Sequence, residues 1–300
     1  VYHRQLQVCL GLLLLWPVLP LQAQELEPRS FNNVPVGLTF VALGAVRSDG
    51  DVSVTPGTPI EDLELTIDGG ALALSHTFAI AGASSKLDMA ASRVCYEGSA
   101  IFRGDYVEGR RCEYGDPRLK LTWNFYGAPA LAPKEFGTWD SGLVIGASLA
   151  VSVPVGTYNP ENLLNAGSNT WRLQPRIGMS RRIGRWQWEA KASMTWFEDN
   201  DNFYGGIYVE QDPLYQLSGH LIYNHKRGSW LSLDANYFTG GRTTKDGVRS
   251  DDRQDNSRWG FTWSRPLGQR HIVKIFASTG VLTRIGNDFD NYGVGWVYRL

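Results

Sequence analysis

The stretch WQWEAKASMTW, residues 186–196, separates by parity into two chemistries. Its even positions hold Trp, Trp, Ala, Ala, Met and Trp, whereas its odd positions hold Gln, Glu, Lys, Ser and Thr. Because successive side chains of an extended chain point to opposite faces, this alternation predicts a β-strand. The alternation alone does not show which of the two faces is in contact with water. In a soluble sandwich the apolar face would pack in a core, but in a membrane barrel it would face lipid and the polar face would line the interior.

The N-terminus has the three parts of a secretory signal peptide. A short basic start, VYHRQ, precedes the apolar run VCLGLLLLWPVLPL, and Ala23 offers a small residue for cleavage. A retained transmembrane helix is the alternative, but Pro17 and Pro20 interrupt a run that is short for a span of about 20 residues. We therefore expect residues 1–23 to be removed, residues 24–35 to form an N-terminal periplasmic segment, and residues 36–300 to form the folded domain.

Two cysteines would remain after this cleavage, because Cys9 lies in the signal peptide. An even pair in an oxidising compartment favours a local disulfide between Cys95 and Cys112 across a loop. Two free cysteines are the alternative.

Composition narrows the class of protein. The 29 basic and 30 acidic residues leave a formal net charge of −1, which gives no argument for a nucleic-acid partner. The 33 Gly, 11 Trp, 13 Tyr and 12 Phe residues point to a β-rich chain with many turns. Beyond the signal peptide no segment has the apolar length of a membrane helix. A membrane location would thus require a barrel, because lipid cannot satisfy open backbone edges.

The alternating pattern recurs along the chain, for example in LKLTWNF, WRLQPRIGMSR, YQLSGHLIY and WLSLDANYF. These segments approach or match the length of a tilted transmembrane strand, which takes about 9 to 11 residues. Trp186 and Trp188 at one end of their strand and Trp196 at the other mark the two levels of an aromatic girdle at the lipid interface. Aromatic pairs in the core of a sandwich are the alternative interpretation.

Connection lengths support a barrel. Short connections such as IGR and KRG alternate with long polar ones such as EDNDNFYGGIYVEQDP, which is the layout of outer-membrane barrels with periplasmic turns and external loops. GAPALAPKEFGTWD is the exception, being long where a short turn is due. The predicted strands are 36–46, 71–81, 86–95, 117–126, 142–154, 171–182, 186–197, 214–225, 229–239, 256–265, 271–283 and 290–300.

We therefore predict an all-β fold, an antiparallel transmembrane β-barrel of about twelve strands. Ten or fourteen strands stay open, because residues 47–115 are the least regular part. The final strand, NYGVGWVYRL, resembles the targeting strand that the barrel-assembly machinery would recognise, although it ends in Leu300 where Phe or Trp is usual.

Several stretches resemble a bacterial family of outer-membrane proteins named for the meta-pathway of phenol degradation. The matching stretches are LTWNFYGAPALAPKEF, GASLAVSVPVGTYNPENLLNAGSNTWRLQPRIGMS, WFEDNDNFYGG, EQDPLYQLSGHLIYN, GGRTTKDG and ASTGVLTRIGNDFD. They cover most of residues 117–290 in order, and residues 31–110 match more loosely. The resemblance implies a transporter-like outer-membrane barrel. Thr170 departs from it, because a basic residue is expected before the Trp of SNTW.

The sequence lacks the signatures of common enzymes: it has no G-x-S-x-G, no H-E-x-x-H, no phosphate-binding glycine loop and no C-x-x-C. His220 and Ser218 share one parity and would both face the lumen, so a lumen histidine is favoured over a lipid-hydrolysing pair. Glu198, Asp199 and Asp201 form an acidic loop that could hold a divalent cation, but a solvated loop is favoured and no metal site is predicted.

The polar parity of the strands supplies the candidate site. A basic residue on the lipid face costs about 2 to 4 kcal/mol at the midplane, so charged side chains should face inward. The predicted lumen-lining residues are Lys120, Arg172, Arg176, Glu189, Lys191, His220, Asp234, Arg258 and Lys274. This basic-leaning set would favour anions such as aromatic carboxylates or phosphate-bearing solutes in a wet pore. Alternatively, the charges pair across a narrow lumen and close it.

The functional expectation is passive passage of small organic solutes, with aromatic and anionic ones as candidates, through the outer membrane of a Gram-negative bacterium. A lipid-modifying hydrolase and a structural or adhesive barrel are the alternatives. The expected partners are membrane lipid, lipopolysaccharide, the solute and the barrel-assembly machinery, with neither nucleic acid nor a cofactor.

Overall fold

The computed structural model describes residues 26–53, 60–102, 105–139, 141–162, 164–284 and 286–300. The predicted signal peptide, residues 1–23, lies outside the described residues. The strands are β1 Thr39–Ser53, β2 Ile60–Ile80, β3 Ala83–Phe102, β4 Asp105–Tyr114, β5 Arg118–Tyr126, β6 Leu143–Ser152, β7 Arg172–Ile183, β8 Trp186–Phe197, β9 Asn200–Phe203, β10 Ile207–Gln211, β11 Leu214–Asn224, β12 Trp230–Gly240, β13 Thr243–Lys245, β14 Val248–Arg249, β15 Gln254–Leu267, β16 His271–Leu282 and β17 Gly286–Arg299.

Among the described residues, the connections contain two short helices, α1 Pro133–Phe136 and the 3-10 turn Lys226–Gly228. In the described part of the chain, neither helix has the length and apolar run needed to cross a membrane.

Twelve strands form a closed antiparallel ring in the order β1, β2, β3, β5, β6, β7, β8, β11, β12, β15, β16, β17. The ring closes where β1 pairs with β17, from Phe40 opposite Arg299 to Ser53 opposite Gly286. Closure leaves no unpaired edge in the ring, which is the condition for crossing a membrane with strands. The predicted all-β barrel of about twelve strands is confirmed.

Each of the twelve predicted strands overlaps one strand of the ring. The largest difference lies in β2, which begins at Ile60 although the sequence pattern starts at residue 71. Asp68, Gly69 and Gly70 interrupt the apolar alternation there, so the pattern shows only the second half of the strand. The sequence also missed β4, which pairs with β3 alone, and the short strands β9, β10, β13 and β14, which form a separate sheet in the long loops.

Side-chain exposure shows which face of the strands points into the barrel. Trp186 and Trp188 are 52% and 37% exposed, whereas Gln187 and Glu189 between and beside them are 4% and 1% exposed. This is the reverse of a soluble sandwich, in which the polar face is wet. The polar parity therefore faces the interior and the apolar parity faces lipid, as expected for a membrane barrel.

Short connections lie together at one end of the barrel, and several use glycine in the left-handed region. Gly82, Gly184 and Gly268 have φ angles of 76°, 61° and 76°, which an L side chain rarely adopts. The connection from β5 to β6, which contains α1, is the long exception at this end. We call this end the turn end and the opposite one the loop end.

Candidate functional site in the barrel interior

The nine predicted lumen residues all lie on the inward parity of the ring. Six are buried, Arg176, Glu189, Lys191, His220, Asp234 and Arg258, and three are partly buried, Lys120, Arg172 and Lys274. Charges enclosed in this way need partners, because an unpaired buried charge is costly. Their partners show what the interior is arranged to hold.

The N-terminal segment, residues 26–36, supplies one of these partners. The carboxylate of Glu27 accepts hydrogen bonds from Lys120 Nζ and, at 3.0 Å, from Arg176 Nη1. Lys191 Nζ donates to the Glu27 carbonyl at 2.5 Å and to Ser30 Oγ at 3.0 Å. Because these cations come from β5, β7 and β8, the segment lies inside the ring. We expected residues 24–35 to lie in the periplasm; from residue 26 onward the structure instead places the chain among the lumen charges that need a counter-ion.

Barrel side chains satisfy the backbone of the segment as it runs toward the turn end. Glu189 accepts from Ser30 N at 3.1 Å and from Phe31 N at 3.3 Å. Further along, Ser84 Oγ donates to the carbonyl of Val34 at 3.0 Å. A segment without secondary structure can remain buried only if its polar groups find such partners. The inner polar face therefore provides hydrogen-bond partners for a chain segment.

Phe31 is the apolar anchor of the segment and is 0% exposed. Its ring lies over Gly146 and Gly178, which are directly paired across β6 and β7. A Cβ atom at Gly146 would stand 2.7 Å from Phe31 Cδ1, and one at Gly178 would stand 2.3 Å from Phe31 Cε2. Both contacts are closer than carbon atoms approach, so glycine is required here by the close approach of the ring. We call this pair of glycines the Phe31 socket.

The charge state of Glu27 follows from its neighbours. Burial alone would raise the pKa of this carboxyl, but Lys120, Arg176 and Lys191 together hold the pKa well below its ordinary value. Glu27 is therefore an anion in the docked segment, paired with cations of the inner wall.

At the loop end, the connection from β6 to β7 folds into the barrel mouth. Asp116 accepts hydrogen bonds from the backbone N–H groups of Gly156 and Ser168, both at 2.9 Å. Leu164 and Ala166 of this loop pack against an inward apolar cluster, which consists of Leu65, Ile67, Val94 and Phe289. The β6–β7 connection is therefore held against the wall at the loop end, whereas the N-terminal segment occupies the lumen nearer the turn end.

His220 and Asp234 form a second buried group in the lumen. His220 Nδ1 lies 2.7 Å from Asp234 Oδ1, and Asp234 Oδ2 accepts from Ser232 and Thr262 at 3.0 and 3.1 Å. His220 Nε2 has no hydrogen-bond partner among the described residues, and Ser218 Oγ accepts instead from Gln216. The structure therefore pairs His220 with Asp234 and does not assemble a Ser218–His220 dyad.

The remaining predicted lumen residues lie apart from these groups. Arg258 donates to the carbonyl of Phe289 at 2.8 Å and to Ser278 at 3.0 Å. The Arg172 guanidinium stands over the Phe197 ring, and Lys274 Nζ stands over the Trp230 ring. These contacts fix side chains of the inner wall at different heights and do not form a single site.

Cys95 and Cys112 lie opposite each other in the β3–β4 pair and form a disulfide. Two carboxylates of the acidic loop make local hydrogen bonds. Glu198 accepts from Trp171 N, and Asp199 accepts from the Tyr208 hydroxyl. No group of three or more potential metal ligands is present in the described ranges.

Glu27, Phe31 and the two socket glycines were missed by the sequence reasoning. One signal did exist: the predicted inner face held six cations against two anions, and this imbalance called for an anion from elsewhere. Nothing in the sequence pattern indicated that a segment preceding the first strand would supply it.

Two solved structures show the same architecture. An outer membrane channel from Pseudomonas putida F1 has a TM-score of 0.74 and 20% sequence identity, over 92% of this chain and 100% of that chain. The transport unit of the autotransporter AIDA-I from Escherichia coli has a TM-score of 0.51 and 12% identity, over 87% of this chain and 90% of that chain. At such identities the likeness establishes the fold.

No curated protein sequence matches this chain. A family model described as "Putative MetA-pathway of phenol degradation" matches residues 49–278, which is well over half of the chain. The protein therefore belongs to this family, and its barrel places it in the bacterial outer membrane.

Proposed function

We propose that this protein carries small organic solutes passively across the outer membrane, through a lumen that the N-terminal segment occupies in the structure described above. The observation that carries this proposal is a polar, basic-leaning inner wall whose counter-ion, Glu27, lies on a segment outside the wall. The segment is held by hydrogen bonds, by ion pairs, by the Phe31 ring against its two glycines and by Arg29 over the Trp230 ring, and all of these contacts are reversible. The resemblance of the fold to an outer membrane channel supports the same function.

A purely structural barrel would not need this arrangement. Small barrels can fill their lumen with side chains of the wall. Here Arg176 pairs with Glu27, and Glu189 binds backbone groups of the segment. Each hydrogen bond of the segment contributes about 0.5 to 3 kcal/mol net, the upper part of this range applying to charged partners. None of these bonds belongs to the strand pairing of the ring, so the segment can leave without unfolding the ring.

The wall also indicates the solute class. Lys120, Arg176 and Lys191 favour anions, and the Phe31 socket accepts a flat aromatic ring against two glycines. Aromatic and anionic organic solutes would use both features once the segment has moved. The lipid-modifying alternative is disfavoured, because Ser218 and His220 face the lumen, away from membrane lipid.

The test is solute passage through purified, folded barrels. Gly178→Ala should push Phe31 out of its socket and raise single-channel conductance in planar bilayers severalfold over the wild type. It should also speed the swelling of liposomes in small aromatic solutes. Gly219→Ala is the matched control, since this glycine lies in β11 on the outer parity with no atom within 4 Å of an added Cβ.

The heat-induced shift in gel electrophoresis would show that each variant folds. If folded Gly178→Ala barrels pass neither ions nor solutes, the proposal is wrong.

A further inference from the structure

The Glu27 carboxylate is bound at both of its oxygens by cations from different strands. Lys120 of β5 reaches one oxygen, and Arg176 of β7 reaches the other at 3.0 Å. Lys191 of β8 lies beside them and contacts the backbone carbonyl of the same residue. We call these three side chains the basic cage. Guanidinium and ammonium groups that converge on a planar anion are the donors proteins use to recognise carboxylates.

The wall itself neutralises this cage only in part. Asp88 lies 3.6 Å from Lys120 but also pairs with Lys86 at 3.2 Å. Glu189 lies 3.9 Å from Lys191 but also accepts from the backbone of the N-terminal segment. For Arg176, Glu27 is the one carboxylate within 4.0 Å in the described part of the chain. When the segment leaves, Arg176 keeps the neutral Gln174 amide oxygen at 2.8 Å and loses its charged partner.

The cage is also enclosed while the segment is docked. The side chains of Arg176, Lys120 and Lys191 are 6%, 12% and 3% exposed, so little water screens them. All three project from paired strands of a closed ring, so their backbone positions are set by the ring and not by the segment. A site built in the wall and filled by a removable part of the same chain has the form of a binding site with an internal competitor.

We infer that the basic cage of Lys120, Arg176 and Lys191 is a binding site for the carboxylate group of a solute, and that Glu27 occupies it as a tethered competitor. This inference rests on the proposed function and names the chemical class that the lumen selects. A carboxylate-bearing solute replaces Glu27 oxygen for oxygen, and the displaced segment frees the passage. Neutral solutes gain nothing from the cage.

The test is chemical rescue of full-length Glu27→Ala. Removing the side chain empties the cage and should lower the melting temperature of the barrel in detergent. Propionate and benzoate should then raise the melting temperature in a saturable way and recover most of the loss. Propionamide and benzyl alcohol, which lack the charge, should have no effect. Wild type should respond much less, because Glu27 already fills the cage.

Two further variants test whether the response depends on an empty cage and on Arg176. Glu27→Gln leaves a side chain of the same size in the cage and should respond less to propionate than Glu27→Ala. Arg176→Gln added to Glu27→Ala removes one side of the cage and should abolish the response. The heat-induced gel shift identifies the folded fraction of each variant, and chloride at equal ionic strength controls for screening.

The outcomes separate the inference from the proposed function. A folded Glu27→Ala barrel that responds equally to propionate and propionamide, or equally to inorganic phosphate, would overturn the carboxylate site. Rescue without any solute passage in liposomes would leave the site standing and remove the transport function. Solute passage without a response to carboxylates would support the transport function and overturn the carboxylate site.

Discussion

Ala192 and Ser193 are neighbours in β8, yet they face lipid and lumen respectively. Ala192 lies in the middle of the strand on the exposed parity, and Ser193 is directly opposite Arg176. We expect Ala192→Glu to destabilise the barrel, because a basic side chain costs about 2 to 4 kcal/mol at that depth and a carboxylate somewhat less. Ser193→Glu, beside Arg176, should be tolerated. Urea unfolding in lipid vesicles measures both, and a reversed order would mean that the strand faces the other way.

Glu27 should make the closed state sensitive to acid, but only well below the ordinary range of a glutamate. A lowered pKa in the docked state means that ionised Glu27 stabilises docking above its ordinary value of 4.5. That contribution is lost only as the pH falls through the lowered pKa. Wild-type conductance should therefore stay low at pH 4.5 and rise at more acidic pH.

Glu27→Gln removes this titration, so its conductance should be higher at neutral pH and should change little over the same acidic range. A wild-type barrel that opens at pH 4.5 or above would contradict the assigned ion pairs.

At the scale of elements, β4 differs from the ring strands because it pairs only with β3. The Cys95–Cys112 disulfide joins this hairpin across 17 residues of sequence, beyond the part of β3 that pairs with β5. Replacing both cysteines with serine should leave the closed ring intact. The hairpin should then open more often, because a cross-link acts mainly by restricting the opened chain.

Limited proteolysis should cut the doubly substituted protein between residues 96 and 111 several times faster than wild type. The heat-induced gel shift should be unchanged. Loss of that shift would mean that the hairpin is needed to close the barrel.

The hairpin also shows why element boundaries were hard to predict. The strands β5 to β8 match their predicted ranges closely, because each has one lipid face and one lumen face. Beyond the membrane both faces of β2, β3 and β4 can carry polar residues, so the alternation fades. The disulfide pairing could be predicted because cleavage of the predicted signal peptide would leave only two cysteines.

For the whole molecule, the two ends of the barrel differ in loop length, and individual connections differ in charge. Basic residues border the short turns at the turn end; examples are Arg181, Arg182, Arg185, Lys226, Arg227 and Arg270. The β8–β11 connection at the loop end carries Glu198, Asp199, Asp201, Glu210 and Asp212 and no basic residue. Short turns face the periplasm in outer-membrane barrels, so we expect the loop end to face outward.

Peptide tags test this orientation. Gly247 and Gly268 both have positive φ and no atom within 4 Å of an added Cβ, so both turns have room for an insertion. A tag after Gly247 should be labelled by antibody on intact cells, and a tag after Gly268 only after the outer membrane is opened. Labelling of the second tag on intact cells would reverse the orientation.

The sequence by itself determined the barrel, a strand number of about twelve and the inward side of the strands, because parity and charge are local properties that survive in any extended chain. It also indicated that the lumen holds excess positive charge. Only the tertiary structure decided what neutralises that charge. Glu27 is far from Arg176 in sequence, and Gly146 and Gly178 form a socket only after β6 and β7 pair. Such contacts depend on ring closure, which brings distant strands around one short segment. A local sequence pattern cannot predict them, because the residues involved are far apart in the chain.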